Sequence, residues 1–382
     1  MKKYKVCDII SAAGLLAIIY GFSIATIATP DKEFSPDENR YLQGKPEFSL
    51  ETLKNGRFTS QIADYFSDQI PLRGLFVETK AVGEMALLKS ENDDVLAGKD
   101  GYIIAEDYYP DLDEARKNIK ALNRFAGALP GNIDFTVAVA GRAQDVLWSK
   151  MPSLYPAEDQ TSRVFDYLDE NLEVKRTDIL TPLRERADAG EYVYYRTDHH
   201  WTTLGAYYAY RAIMEEWGLE PYPLEHFTRE TVSDEFYGTT WSKAGMRWTK
   251  PDTMEYFRFE GDESYTTAID GGETFNGFYD RSYLDKKDKY SSFIGGNNAR
   301  VTITSGESGR EKLVMIKDSF GHSLAPFLAE HFDLEILDLR YFKTSAMDFV
   351  KESGASRVLF IYNMDGILNS NSAAMLNLGI KN

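Results

Sequence analysis

Apolar positions set the rhythm of this chain. Twenty uncharged residues run from Ile9 to Ala28, and at helical rise such a stretch spans about 30 Å, the thickness of a bilayer's hydrocarbon core. An extended lead follows, with turn formers at Ser35, Pro36, Asp37, Glu38 and Asn39. Phe58, Ile62, Tyr65 and Phe66 then recur at helical spacing, and a second periodic stretch, 75–88, predicts another helix. A Gly-Lys-Asp-Gly turn at 98–101 precedes the strand-like 102–105. From there helix and strand patterns alternate: helix near 112–128, strand 135–140, helix near 160–172, strands 174–180 and 192–196, helix 203–217. Residues 222–300 break the alternation with Gly, Asp and aromatic residues in short runs, which read as an insertion of short strands and loops overhanging a site. The alternation resumes with strands 312–316, 334–339 and 358–362 and a helix at 323–332. Such an order predicts an α/β fold, a parallel sheet with helices on both faces. The expected organisation is an N-terminal membrane anchor or signal segment at 1–30, an extended and helical lead at 31–110, and an α/β domain at 111–382 with its insertion at about 222–300.

The ends of the first apolar run give it a direction. Lys2, Lys3 and Lys5 precede it and acidic residues follow, so the short tail is expected inside and the bulk of the chain outside the cytoplasm. Cleavage after the small residues Thr26 and Ala28 would instead make the protein secreted. The single cysteine, Cys7, lies before the run, so the exported part can form no disulfide. A net charge of −17 argues against nucleic acid and anionic membrane surfaces as substrates. The 24 Tyr, 22 Phe and 5 Trp supply core and also flat faces that can stack on sugar rings; Trp148, Trp201, Tyr237 and Trp241 are the candidates near the expected site.

Candidate chemistry sits in two segments, Arg-Thr-Asp-His-His-Trp at 196–201 and Ile-Lys-Asp-Ser-Phe-Gly-His-Ser at 316–323. Read as a strand, the first puts Asp198 and His200 on one face. The second places Ser319 at a strand-to-helix turn, lifted toward solvent. A serine hydroxyl needs a base, histidine suits that task, and a carboxylate fixes the histidine's tautomer. Asp198 would orient, His200 abstract and Ser319 attack, with the main-chain N–H groups of Ser319 and Phe320 receiving the oxyanion. This chemistry calls for no cofactor. A metal site of Asp198, His199, His200 and His322 or Asp318 is the competing reading; adjacent His199 and His200, pointing to opposite faces of a strand, argue against it. Further polar residues stand at strand ends, where α/β sheets bind ligands: Asp338 with Arg340, and Asn363 with Asp365.

Thr-Asp-His-His-Trp-Thr at 197–202, Asp-Lys-Tyr at 288–290 with Gly-Gly-Asn at 295–297, and Ile-Lys-Asp-Ser-Phe at 316–320 resemble the bacterial DHHW proteins. Ser-Pro-Asp-Glu-Asn-Arg at 35–40 and Gly-Lys-Asp-Gly-Tyr at 98–102 fit the same pattern. These proteins are relatives of the alginate O-acetyltransferase group with an SGNH-hydrolase-like domain. The resemblance implies a three-layer, flavodoxin-like fold in circularly permuted order, with the Asp-x-His segment before the serine strand. It implies a triad of Asp198, His200 and Ser319. The oxyanion positions that close SGNH sites as Gly and Asn fall here on Arg340 and Asn363, and Lys317-Asp318 replaces the usual Gly before Asp-Ser. The function implied is an outward-facing O-acetyltransferase acting on a cell-surface or exported polysaccharide, supplied with acetyl groups by a multi-span membrane acyltransferase. A secreted carbohydrate esterase and a non-catalytic glycan-binding or scaffold protein are the alternatives.

Overall fold

The computed structural model describes residues 6–106, 112–153, 155, 160–270 and 272–380; Lys2, Lys3 and Lys5 lie outside them. The chain forms two compact units, one of residues 1–93 with 241–248, the other of 94–240 with 249–382.

In the first unit the apolar run is a helix, Val6–Ala28, long and apolar enough to cross a membrane. The turn formers at 36–39 join two short antiparallel strands, Phe34–Ser35 and Arg40–Tyr41. Helices Leu50–Lys54, Arg57–Gln69 and Arg73–Ala86 follow. Gln69 ties the extended lead to its helix, its amide exchanging hydrogen bonds of 2.9 Å with both the N–H and the C=O of Lys32. Arg40 binds Asp68 through both terminal nitrogens, and Arg73 binds Glu38 through Nε and Nη2. The segment 241–248 joins this unit through the Ala244 carbonyl, which accepts from Asn92 Nδ2 at 2.7 Å.

The second unit is built on an eight-stranded sheet: β1 Asp134–Ala140, β2 Arg176–Thr177, β3 Thr266–Ile269, β4 Thr274–Asn276, β5 Arg300–Thr304, β6 Lys312–Lys317, β7 Asp333–Leu337 and β8 Arg357–Asn363. The spatial order is β4-β3-β5-β7-β6-β8-β1-β2. The five strands from β7 to β2 are parallel, whereas β5, β3 and β4 add antiparallel at one edge. The sheet is therefore mixed, a correction to the all-parallel expectation. Its cause is that the second half of the expected insertion pairs with the main sheet, leaving only the hairpin Thr228–Phe236 with Asp252–Arg258 separate. β1, β6 and β8 are apolar along nearly their whole length and buried at consecutive positions, as strands covered on both faces must be.

Two expected strands give way. Of 174–180 only Arg176–Thr177 pairs, and a helix, Leu180–Asp188, begins where the strand was expected to end. Residues 192–196 contribute a single bridge, Tyr194 to Trp201, which closes a bend rather than a strand.

Candidate active site

Ser319 stands in the turn between β6 and the helix Gly321–Ala329. The turn is tight enough that a Cβ on residue 321 would lie 2.6 Å from Lys317 Cβ, so glycine is what lets the helix start against the strand end. Ser319 Oγ is 2.7 Å from His200 Nε2, and His200 Nδ1 is 2.5 Å from Asp198 Oδ1. Asp198 and His200 are 3% and 5% exposed. The three residues named from sequence thus form one hydrogen-bonded line.

The reason Asp198 and His200 face each other differs from the one expected. Asp198 Oδ1 accepts the His200 backbone N–H at 3.0 Å as well as the ring nitrogen, an Asx-type turn rather than a strand pleat. Asp252 pins the start of this bend. Its buried carboxylate accepts from Arg196 N–H at 3.0 Å, Thr197 N–H at 2.8 Å, Thr197 Oγ1 at 2.6 Å and the Tyr192 hydroxyl. Asp198 Oδ2 accepts from the Thr239 N–H at 2.8 Å and hydroxyl at 3.1 Å. Gly238 lets that segment approach, since a Cβ there would sit 2.2 Å from Asp198 Cβ. The His200 ring is stacked under Tyr290, centroids 3.9 Å apart and planes 11° from parallel. The Tyr290 hydroxyl and Trp201 Nε1 both meet Ser323 Oγ at 2.9 Å. Burial raises the carboxyl pKa of Asp198, but the adjacent His199 and His200 and the bonds from His200 and Thr239 outweigh it and hold the group far below the usual range. It stays ionised beneath the imidazole.

The bend also corrects the argument against a metal. The His199 and His200 rings lie 3.8 Å apart rather than on opposite faces, and with Asp198 they bring three ligand atoms within 4.8 Å of one another. Those atoms already have partners: His200 nitrogens bind Asp198 and Ser319, and His199 Nδ1 meets Thr239 Oγ1 at 2.6 Å. An ion would have to break the line.

Around the serine the donors are arranged differently from the expectation. Phe320 N–H is taken, donating to Asp318 Oδ1 at 2.9 Å, while Asp318 Oδ2 accepts Asn363 N–H at 2.6 Å. Asp318 therefore laces the ends of β6 and β8, and burial pushes its pKa up. Ser319 N–H has no partner among the described residues. Asn363 Oδ1 caps the helix Met364–Leu368 by accepting Asp365 N–H at 2.9 Å; its Nδ2 makes only a long 3.4 Å contact with Gly141 O. Arg340 binds Asp338 through Nε at 2.9 Å and Nη2 at 2.6 Å, and Asn297 at 2.9 Å. Beneath the turn, Lys317 Nζ is fully buried between His322 Nε2 at 2.7 Å and Asp338 Oδ2 at 3.3 Å. Burial, opposed by Asp338, brings its pKa down to about 8. An open cleft of about 250 Å³ exposes Ser319 among His199, Phe320, Arg340, Asn363 and Ser370.

The aromatic candidates are dispersed. Trp201 is wholly buried and packs on Phe320, so it offers no sugar platform. Trp241 belongs to the other unit, under the Arg247 guanidinium at 3.9 Å. Tyr237 is half-buried near Lys287, and Trp148 is exposed beside Tyr155. Sequence reasoning missed Asp252, Gly238, Thr239 and the role of Tyr290, of which only Tyr290 lay within a recognised motif.

The family described as DHHW protein matches residues 125–336, more than half of the chain. Among solved structures, a DHHW family protein from Eubacterium siraeum is 26% identical, covers 76% of this chain and 98% of its own, and superposes with a TM-score of 0.65. Bacillus cereus PatB1 is 19% identical with 73% and 98% covered, and PatB1 with a sulfonyl adduct 20% identical with 73% and 97% covered, each at a TM-score of 0.61. No curated protein matches the chain in sequence.

Proposed function

The chain belongs to the DHHW family, and from that premise we propose that it is an extracytoplasmic serine O-acyltransferase, transferring acetyl groups to a cell-surface or exported polysaccharide. The observation that carries this reading is the line Asp198–His200–Ser319, with contacts of 2.5 and 2.7 Å, ending in a cleft. Every member is of the type and in the order that activates a serine. PatB1, whose fold this chain shares, has been seen with a sulfonyl adduct, which is in keeping with a nucleophile on this scaffold.

In the first half-reaction His200 Nε2 takes the hydroxyl proton as Ser319 Oγ bonds the donor's carbonyl carbon. The carbonyl oxygen becomes an oxyanion within reach of Ser319 N–H and Asn363 Nδ2, the two donors left least engaged. Collapse expels the donor's leaving group, which takes the proton from His200. An acceptor hydroxyl then gives its proton to His200 and attacks the acyl carbon; collapse expels the Ser319 oxygen, which takes that proton back from His200. Asp198, held ionised, stabilises the imidazolium in both halves. The cleft of about 250 Å³ suits an acyl group with part of a sugar and calls for no cofactor. Val6–Ala28 serves as the anchor that keeps the domain outside the cytoplasm. Because acetyl-CoA is cytoplasmic, a multi-span membrane acyltransferase is the partner that relays acetyl groups to Ser319.

The test is intact mass of the protein after exposure to an activated acetyl ester, beside Ser319→Ala and His200→Ala. The expected result is one acetyl adduct on Ser319, absent from both variants. An adduct that persists in Ser319→Ala refutes the assignment. Turnover that rises with added oligosaccharide separates the transferase from an esterase, which would use water equally well without it.

A further inference from the structure

The outward face of the helix Arg73–Ala86 is mostly apolar, with one exposed charge, Lys80, at its edge and paired with Asp93 at 2.6 Å. Leu72, Leu75, Phe76, Val82 and Leu87 fall within one arc of the helix, roughly 140° wide at 100° per residue, and are 64%, 56%, 44%, 49% and 74% exposed. Thr79, Gly83 and Ala86 fill the rest of the arc and are exposed as well. The residues turned inward, by contrast, include Glu78, Glu84 and the buried Ala81. A water-facing helix would carry its charges on the outward arc; here that arc is apolar and the one exposed charge, Lys80, lies at its edge. Five large apolar side chains spread over four turns, with Thr79 the one polar residue among them and Lys80 at the margin, are too much to leave wet without a reason.

The neighbouring contact says what covers it. Phe76 packs edge-on against Phe22 of the helix Val6–Ala28, ring centroids 5.4 Å apart. Phe22 is six residues, about 9 Å, from the outer end of that helix. The uncharged run 9–28 spans about 30 Å and fills the hydrocarbon core by itself, so Phe22 lies below the outer lipid boundary and Phe76 touches it there. Thr26, nearer the end, is 1% exposed, and Phe22, Ser23 and Ala25 are half-covered, so the same helical unit closes around the last two turns of the anchor. The apolar arc is thus continuous with the apolar surface of a helix at membrane depth.

We propose that the helix Arg73–Ala86 is an interfacial membrane helix, its Leu72–Leu75–Phe76–Val82–Leu87 face seated in the outer leaflet at the boundary of headgroups and acyl chains. It rests on the reading of Val6–Ala28 as a retained anchor. A helix lying in the interface beside a spanning one fixes how the unit meets the bilayer, where a single spanning helix alone would leave it free to pivot.

The full chain in lipid nanodiscs provides the test. Cys7 is the only cysteine, so in a Cys7→Ser background single spin labels are placed by Leu75→Cys, Val82→Cys, Leu16→Cys within the anchor and Lys117→Cys on the exposed surface of the other unit. Accessibility to dissolved oxygen and to a water-soluble nickel chelate is measured for each. The expected result is that positions 75 and 82 follow position 16, several-fold richer in oxygen and poorer in nickel contact than position 117. If 75 and 82 match 117 while 16 stays in lipid, the face is in water and the inference falls while the anchor stands. Labels at 75 and 82 shielded from both reagents would mean that a protein surface covers the face, which also overturns it. Nickel contact at position 16 would remove the anchor reading and this inference with it.

Discussion

Replacing Gly238 by alanine tests the geometry of the site without altering any group that reacts. The new Cβ would lie 2.2 Å from Asp198 Cβ and 2.3 Å from Oδ2. Ordinary contact between such atoms begins near 3.4 Å, so Asp198 or the 238–239 segment must give way by about 1.2 Å. Either movement loosens the Thr239 N–H bond of 2.8 Å and tilts the carboxylate away from a 2.5 Å contact with His200. Displacement of a catalytic group by about 1 Å costs on the order of 100-fold in rate, equivalent to about 2.7 kcal/mol of barrier. Overpacking of this kind also costs about 1–3 kcal/mol of stability. The assay is the rate of Ser319 acetylation by an activated ester, followed by intact mass, together with a thermal melt. Gly131→Ala, with nothing within 4 Å of its Cβ, is the matched control. Acetylation of Gly238→Ala at the parent rate with an unchanged melt would refute the claim that close approach at 238 holds Asp198 in place.

Two other perturbations separate roles that overlap in space. Asn363→Ser keeps an acceptor for the Asp365 N–H but withdraws the Nδ2 donor, so acetylation should fall about 10²-fold, as for loss of one oxyanion donor, with little change in melting temperature; an equal fall in both would assign Asn363 to capping alone. Lys317 carries a pH signature. Its pKa is about 8 in the fold against an ordinary 10.5, so between those values the unfolded chain binds more protons and stability rises with pH. Over that window wild type should gain about 3 kcal/mol relative to Lys317→Met, at 1.36 kcal/mol per pKa unit, in denaturant titrations at pH 7 to 11; a difference that does not move with pH would show that Lys317 is not titrating there.

How much of this was legible beforehand divides along local and long-range lines. That Asp198, His200 and Ser319 would meet could be suggested because residue type carries the chemistry: a lone Asp-x-His and a serine after an apolar run are enough to raise it. The conformation of the Asp-x-His segment could not. It is shaped by Asp252, whose carboxylate gathers donors from Tyr192, Arg196 and Thr197 some 55–60 positions away, and nothing local distinguishes that bend from a strand. The same limit applies to 266–276 and 300–304, where alternation announces strands but not which sheet they join. For 174–180, apolar content alone does not decide between strand and helix, and pairing with Val137 and Ala138 reaches only Arg176 and Thr177. Phe320 N–H was an obvious oxyanion donor until the Asp318 side chain claimed it, a competition that composition and periodicity cannot express. The long central helix, 203–217 as expected and Thr203–Glu216 as found, was legible because its pattern is entirely its own.

His200 and Ser319 are separated by 119 positions, and no local contact bridges them. His200 reaches Ser319 only when the bend, the stack under Tyr290 and the end of β6 have all taken their places, so an incompletely folded chain carries a serine of everyday reactivity. On the proposed mechanism the protein is silent until finished: activation of the hydroxyl would be a late product of topology, as contacts of long sequence separation generally are. On that mechanism, a reagent that titrates Ser319 stoichiometrically would count native molecules, making the site its own gauge of correct folding.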